Sequence, residues 1–167
     1  IEVVTISEAS NLDNLINLLK NGIARQVTAC DLRPLPLRNA QENAERFGVG
    51  AQMEFLLSDG LERVAPDRID TVVCAGMGGD LIVRILEACA WIRDPIYRLV
   101  LQPQSKVQEL TDWLWHNGFT IEDAALCRDA GKRYLALRVL GQPAGQTYTV
   151  ERLLLRRRDP LLPEHLT

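Results

Sequence analysis

No apolar run in this chain approaches the roughly 20 residues that a membrane-spanning helix needs, which sets channels and transporters aside and predicts no membrane partner. A basic excess is also missing. The 19 Lys and Arg face 22 Asp and Glu, a net charge of -3, so global charge does not advertise nucleic-acid binding, and any such surface has to be a local patch. Cysteine is sparse and scattered: Cys30, Cys74, Cys89 and Cys127 have no C-x-x-C spacing, which argues against a zinc centre or a disulfide framework and for reduced thiols in a cytoplasmic protein. The two histidines, His116 on a predicted helix and His165 in the tail, read as surface residues, and no metal is expected. Internal repeats and low-complexity tracts are absent too.

What remains is an ordinary globular composition, 47% hydrophobic and 25% charged, in 167 residues. That length suits one domain, able to bury roughly 70% of its unfolded surface. The chain opens on a strand-like segment without an initiator Met and stops at Thr167 in a polar tail, so the expectation is of a domain excised from a longer protein.

The stretch Ile69 to Leu86 organises the rest. Ile69, Thr71, Val72 and Val73 form a short β-branched run of the kind that makes a buried parallel strand. Ile82, Ile85, Leu86 and Cys89 recur at helical spacing, and Asp80 sits where a carboxylate can cap a helix start. Between them Gly76, Met77, Gly78 and Gly79 turn the chain with little side-chain bulk, so a ligand can approach the backbone at a helix N-terminus. Such a turn also serves as a plain strand-to-helix connection.

Taken in order, Glu2 to Ile6 reads as a strand, followed by a helix carrying Leu12, Leu15, Ile16 and Leu19 that ends at Asn21-Gly22. Arg25 to Cys30 is a second strand with Asp31 at its tip; a helix after Pro34 and Pro36 presents Leu37, Ala40, Ala44 and Phe47 on one side. Met53 to Leu57 is a third strand, with Ser58-Asp59-Gly60 at its end. A fifth, Arg98 to Leu101, runs into Gln102-Pro103-Gln104, where Ser105 can cap a helix bearing Val107, Leu110, Trp113 and Leu114. Phe119 to Cys127 and Lys132 to Leu140 then read as a hairpin around Arg128-Asp129-Ala130-Gly131. Residues 1–141 form the expected domain; 142–167 are a Pro/Gly-containing linker and the start of a helix with Leu153 to Leu155 beside Arg156 to Arg158.

Five βα units closed by a β-hairpin is the element order of the Rossmann-like class I methyltransferases, an α/β fold with a mostly parallel seven-stranded sheet, a C-terminal antiparallel hairpin and helices on both faces. Acids at consecutive strand ends, Asp31 and Asp59, suit that fold's cofactor site. The chain further resembles the bacterial tRNA (adenine-22-N1)-methyltransferase family, the TrmK type. The likeness rests on Ser58-Asp59-Gly60-Leu61-Glu62, on Ala75-Gly76-Met77-Gly78-Gly79 and the Leu81-Ile82 and Ile85-Leu86-Glu87 that follow, on Leu101-Gln102-Pro103-Gln104, and on Asp129-Ala130-Gly131-Lys132-Arg133-Tyr134. It covers roughly Gly22 to Val139.

The resemblance implies an enzyme that uses S-adenosyl-L-methionine to methylate N1 of an adenine in tRNA. By that likeness Asp31 and the adjoining Leu32 meet the cofactor ribose and its surroundings, Asp59 and Gly60 border its adenine, and Ser7, Ala75 and Gly76 lie near the methionine moiety and the transferable methyl. Met77 and Gly78 face the target base, and Asp80 can accept a proton from its exocyclic amine, with helix capping as the simpler role. Arg33, Arg38, Arg84, Lys106, Arg128, Lys132 and Arg133 can form a phosphate-binding rim or simply a solvated face.

Two departures stand out. The first turn, Thr5 to Leu12, lacks the acid, glycine and histidine of the family's pattern, and the family's helical arm, expected to begin near Val150, is cut short. The altered turn prompts the alternative of a degenerate methyltransferase-like domain that binds RNA or a protein partner without catalysis. A small-molecule methyltransferase is a third reading. Nicotinamide binding is disfavoured, because a fingerprint beginning at Gly76 wants an acid at the next strand's end, where Gln102-Pro103 stands.

Overall fold

The pattern of short β-branched runs alternating with amphipathic helices resolves into a single twisted sheet. The computed structural model describes residues 2–7, 12–143, 145 and 148–165. Its strands are β1 (Glu2–Ser7), β2 (Gln26–Asp31), β3 (Met53–Leu57), β4 (Thr71–Met77), β5 (Arg98–Pro103), β6 (Thr120–Asp129) and β7 (Lys132–Leu140). They form one seven-stranded sheet in the order β3-β2-β1-β4-β5-β7-β6. Strands β1 to β5 pair in parallel, and β7 joins β5 antiparallel with β6 outside it. The strand order reverses between β1 and β4, where Ser7 faces Ala75 in the ladder. In open α/β sheets the carboxyl ends of strands at such a reversal are where ligands bind.

The helices are α1 (Leu12–Lys20), α2 (Pro34–Arg46), α3 (Gly79–Glu87), α4 (Val107–His116), α5 (Val150–Arg157) and α6 (Leu162–His165). Because side chains alternate across a strand, the burial pattern says which face each helix covers. Val27 and Ala29 of β2 pack with Leu15, Ile16 and Leu19 of α1 and with Ala40 and Ala44 of α2. Cys30, together with Val72 and Cys74 of β4, turns the other way, into a larger core with Ile82 and Leu86 of α3, Leu110 and Leu114 of α4, and Leu99, Leu101 and Phe119.

Several local expectations are corrected. No α-helix follows β3; the connection is a turn and one short 3-10 segment, Pro66–Arg68, so that strand lacks the helix that would complete a fifth βα unit. Phe47 does not continue the buried face of α2. The helix ends in a Schellman arrangement, with the Gly48 amide on the Glu45 carbonyl at 3.0 Å and the Val49 amide on that of Ala44 at 2.9 Å. Val49 is thereby buried and Phe47 turned out to solvent beneath the Lys20 ammonium, 4.9 Å from its ring centre. The hairpin is tighter than read: β6 runs through Asp129, and the turn is the dipeptide Ala130-Gly131, both at positive φ.

The tail is seated on the sheet. Thr149 caps α5 by accepting from the Arg152 amide, and Val150, Leu153, Leu154 and Leu162 join the larger core. The Arg157 guanidinium donates to Asp123 on β6 at 2.7 Å, and the buried Asp159 accepts from the Leu126 amide at 2.9 Å.

Candidate active site

The tips of the neighbouring strands β2 and β3, and that of β4 on the far side of β1, end along one rim of the sheet, and the residues at and after them border a cleft of about 590 Å³, the solvent at its open mouth included. Asp31, Leu32, Asp59, Gly60 and Met77 all line it, with Leu81 and Arg84 from α3 on the opposite wall. Five of the sequence-assigned positions therefore share one hollow. The backbone ties the rim together: the Ser58 amide donates to the Asp31 carbonyl at 3.0 Å, so the turn after β3 is anchored to the tip of β2.

Gly60 sits at φ +57°, and a Cβ there would lie 3.1 Å from Cγ1 and 3.2 Å from Cγ2 of Ile85. Any side chain would strain the backbone and push into the helix that walls the cleft. Leu32 is 62% exposed, an apolar residue left uncovered at the cleft mouth, and Leu81 stands across from it. Polar acceptors flanked by apolar surface in a concave site are what a nucleoside-sized ligand requires.

The remaining assigned residues lie on the other side of Met77. Ala75 is buried, and Gly76, at φ +76°, makes a bulge against β5 that shifts the register between Ala75 and Met77. Gly78 precedes α3 as its N-cap, with no side-chain cap, and its missing side chain leaves space occupied by Asp80 Oδ1 and Ser105 Oγ. Asp80 therefore does not occupy the capping position; the helix begins one residue before it. Ser105 does not cap α4 either, since that place is held by Lys106 in a left-handed conformation, φ 53°. The backbone stitches the two helix starts: the Gly79 amide donates to the Ser105 carbonyl at 2.9 Å, and the Gln104 amide to that of Met77 at 2.9 Å. A Cβ on Gly79 would run into the Lys106 carbonyl. Ser7 ends β1 beside Ala75, whereas Glu8 to Asn11, the rest of the altered first turn, lie outside the described residues.

Each assigned acid has a basic partner. Asp31 accepts from the Arg33 amide at 2.8 Å and lies 3.5 Å from its guanidinium; Arg84 approaches Asp59 at 3.7 Å; Lys106 donates to Asp80 at 3.0 Å. Three residues expected on a phosphate-binding rim thus serve neighbouring carboxylates. The Lys106 hydrogen bond holds the exposed Asp80 carboxyl below the usual carboxylate range, and Lys106 is raised in turn. Beneath the cleft, burial pushes the Cys30 and Cys74 thiols up to about 12 and Cys89 to about 11, so all three stay protonated and are no nucleophiles. Among the described residues, no group of three or more His, Cys, Asp or Glu is arranged to hold a metal ion, and no helix is long and apolar enough to cross a membrane.

The sequence profile described as a methyltransferase domain matches residues 15–137, most of the chain. The chain belongs to that family. Within this methyltransferase family it is 31% identical over 102 residues to the tRNA (adenine(22)-N(1))-methyltransferase of Bacillus subtilis, a stretch covering 61% of this chain and 43% of that protein. The match thus spans less than half the length of the curated relative. Among solved structures it is similar to Streptococcus pneumoniae Sp1610 in complex with S-adenosyl-L-methionine, with a TM-score of 0.83 and 25% identity over 98% of this chain and 78% of that one. The B. subtilis m1A22 tRNA methyltransferase TrmK has the same fold, with a TM-score of 0.78 at 22% identity, over 98% of this chain and 74% of its own.

Sequence reasoning named Arg84 only for a phosphate-binding rim and missed it as a wall of the cleft. The signal was available: Leu81, Arg84 and Ile85 stand at i, i+3 and i+4, one face of α3, and Gly60 admits only a close-packed neighbour.

Proposed function

We propose that this methyltransferase-family chain binds S-adenosyl-L-methionine in the cleft above β2, β3 and β4 and supports methylation of N1 of an adenine in tRNA, in the cytoplasm. The observation that carries the reading is the convergence of Asp31, Leu32, Asp59, Gly60 and Met77 on one hollow at a strand-order reversal. The donor set fits the group. Asp31, an acceptor-only carboxylate at the tip of β2, takes the ribose hydroxyls; Asp59 takes the amine edge of the adenine, with Gly60 leaving the ring room. Leu32 and Leu81 supply apolar surface for its faces. Ser7, Ala75 and Gly76 are assigned to the methionine end, next to the cleft at the junction of β1 and β4.

When bound, the cofactor supplies an activated methyl: the N1 lone pair forms the new N–C bond as the C–S electrons return to sulfur, and the positive charge passes to the adenine. The protein's task is then alignment, because neither reactant needs further activation. Met77 and Gly78 are assigned to the side that faces the base: the Gly76 bulge turns the chain there, Asp80 and Ser105 fill the space beside Gly78, and the mostly buried Met77 contributes only the part of its side chain that lines the cleft. Asp80, held ionised by Lys106, stabilises positive charge near that backbone; its lowered pKa makes it a poor proton acceptor. Residues 142–167 we assign to a linker and the root of a helical arm, with α5 as its first turn pair.

The test pairs calorimetric titration of S-adenosyl-L-methionine and S-adenosylhomocysteine with mass spectrometry of tRNA incubated with the chain. Binding in the micromolar range and appearance of N1-methyladenosine are the expected results. No binding at millimolar cofactor would favour a domain that holds RNA or protein without catalysis.

A further inference from the structure

Arg84 stands at the far end of the cleft, where α3 meets the turn after β3. Its helix is fixed independently of it, because Ile82, Ile85 and Leu86 are buried and Ile85 packs over Gly60. The arginine side chain is 65% exposed and its partner Asp59 50%, so their contact at 3.7 Å contributes little to folding. It does something else. Asp59 leads a turn closed by the Glu62 amide on its own carbonyl at 3.3 Å and by the Arg63 amide on Ser58 Oγ at 3.2 Å; these bonds fix the backbone and leave the half-exposed carboxylate several rotamers. Arg84 approaches Oδ1 from the opposite wall at 3.7 Å, an attraction that favours the rotamer facing it and leaves Oδ2 as the second acceptor of the same carboxylate.

Resting on the cofactor reading above, we infer that Arg84 is a positioning residue that orients Asp59 to accept from the exocyclic amine of the cofactor's adenine, and so sets discrimination between adenine and a 6-oxo purine. A carboxylate accepts and never donates. It therefore rewards an amine and repels a carbonyl oxygen, but only while it is held toward the ring edge. Arg84 acts on Asp59 and is not one of the residues assigned to the methyl-transfer turn, so its effect falls on cofactor affinity and not on the chemical step.

The experiment is calorimetric titration of the chain with S-adenosylhomocysteine and with S-inosylhomocysteine, in which oxygen replaces the amine. The wild-type chain is expected to prefer the amine by about tenfold, the size of one good hydrogen bond to a charged group. Arg84→Met should weaken S-adenosylhomocysteine by about threefold, leave S-inosylhomocysteine no weaker or slightly tighter as the repulsion is released, and leave the unfolding midpoint where it was; Arg84→Lys should recover part of the loss. In an Asp59→Asn background the Arg84→Met effect should vanish. Equal weakening of both ligands, or none of either, overturns the inference while the cofactor reading stands. If the wild-type chain binds neither, the cofactor reading falls and this one with it.

Discussion

The two halves of the sheet are built differently. On the β4-β5-β7-β6 side the strands rest on the larger core, with Leu99, Leu101, Leu110, Leu114, Phe119 and Leu137 wholly buried, and its helix starts are joined by backbone hydrogen bonds. On the β3-β2 side the packed cluster is smaller and relies on Ala40 and Ala44, and its strand tips lead into carboxylates met by arginines, Asp31 mostly covered and Asp59 half-exposed. One half carries most of the buried core and gives the cleft the turn after β4 and a wall of α3; the other gives it the strand-end acids. Buried apolar surface and polar ligand contacts draw on different residues, so they can be perturbed separately.

The largest effect should come from the first half. Phe119→Ala removes a fully buried ring that stacks on Trp113 at 5.7 Å between centroids, and should cost about 3–5 kcal/mol in a denaturant titration. Next, Gly79→Ala drives a methyl into the Lys106 carbonyl and should cost about 1–3 kcal/mol, parting α3 from α4. A cofactor affinity that survives this change would sharpen the division, since the cleft's acids sit on other elements. Asp31→Asn, in the second half, should weaken S-adenosylhomocysteine about tenfold with no change in unfolding midpoint; a loss of stability like that of Phe119→Ala would break the comparison outright. Smallest is Asp80→Asn, which should shift the midpoint by about 1 °C at most and vanish in high salt. The sign follows from the lowered carboxyl: the Asp80–Lys106 contribution is fully present above the ordinary carboxylate value of about 3.9 and is lost as pH falls through the depressed one.

The strands were legible because each is a run of β-branched or apolar residues ending at an acid, a glycine or a proline, and the closing hairpin because Ala130-Gly131 sits between alternating segments. The missing helix after β3 was hidden, since Leu61, Val64 and Ile69 are apolar enough for an element there, yet they pack as a turn over the core. Asp31, Asp59 and Gly60 could be placed by counting from strand ends, and all three reach the cleft. Asp80 and Ser105 could not, because capping depends on which residue leaves helical geometry first, and the close approach of α3 to Lys106 decides that. Ion pairing across elements, as between Arg84 and Asp59, has no signature along the chain at all.

The clasp between Asp159 and the Leu126 amide has a consequence for the protein's life among its copies. An outermost strand normally offers its idle amides as a template on which another molecule can zip, and here the chain's own tail interrupts that template at Leu126. The same fastening gives whatever extends from α5 a fixed heading, mounted on the sheet like a bracket on a wall.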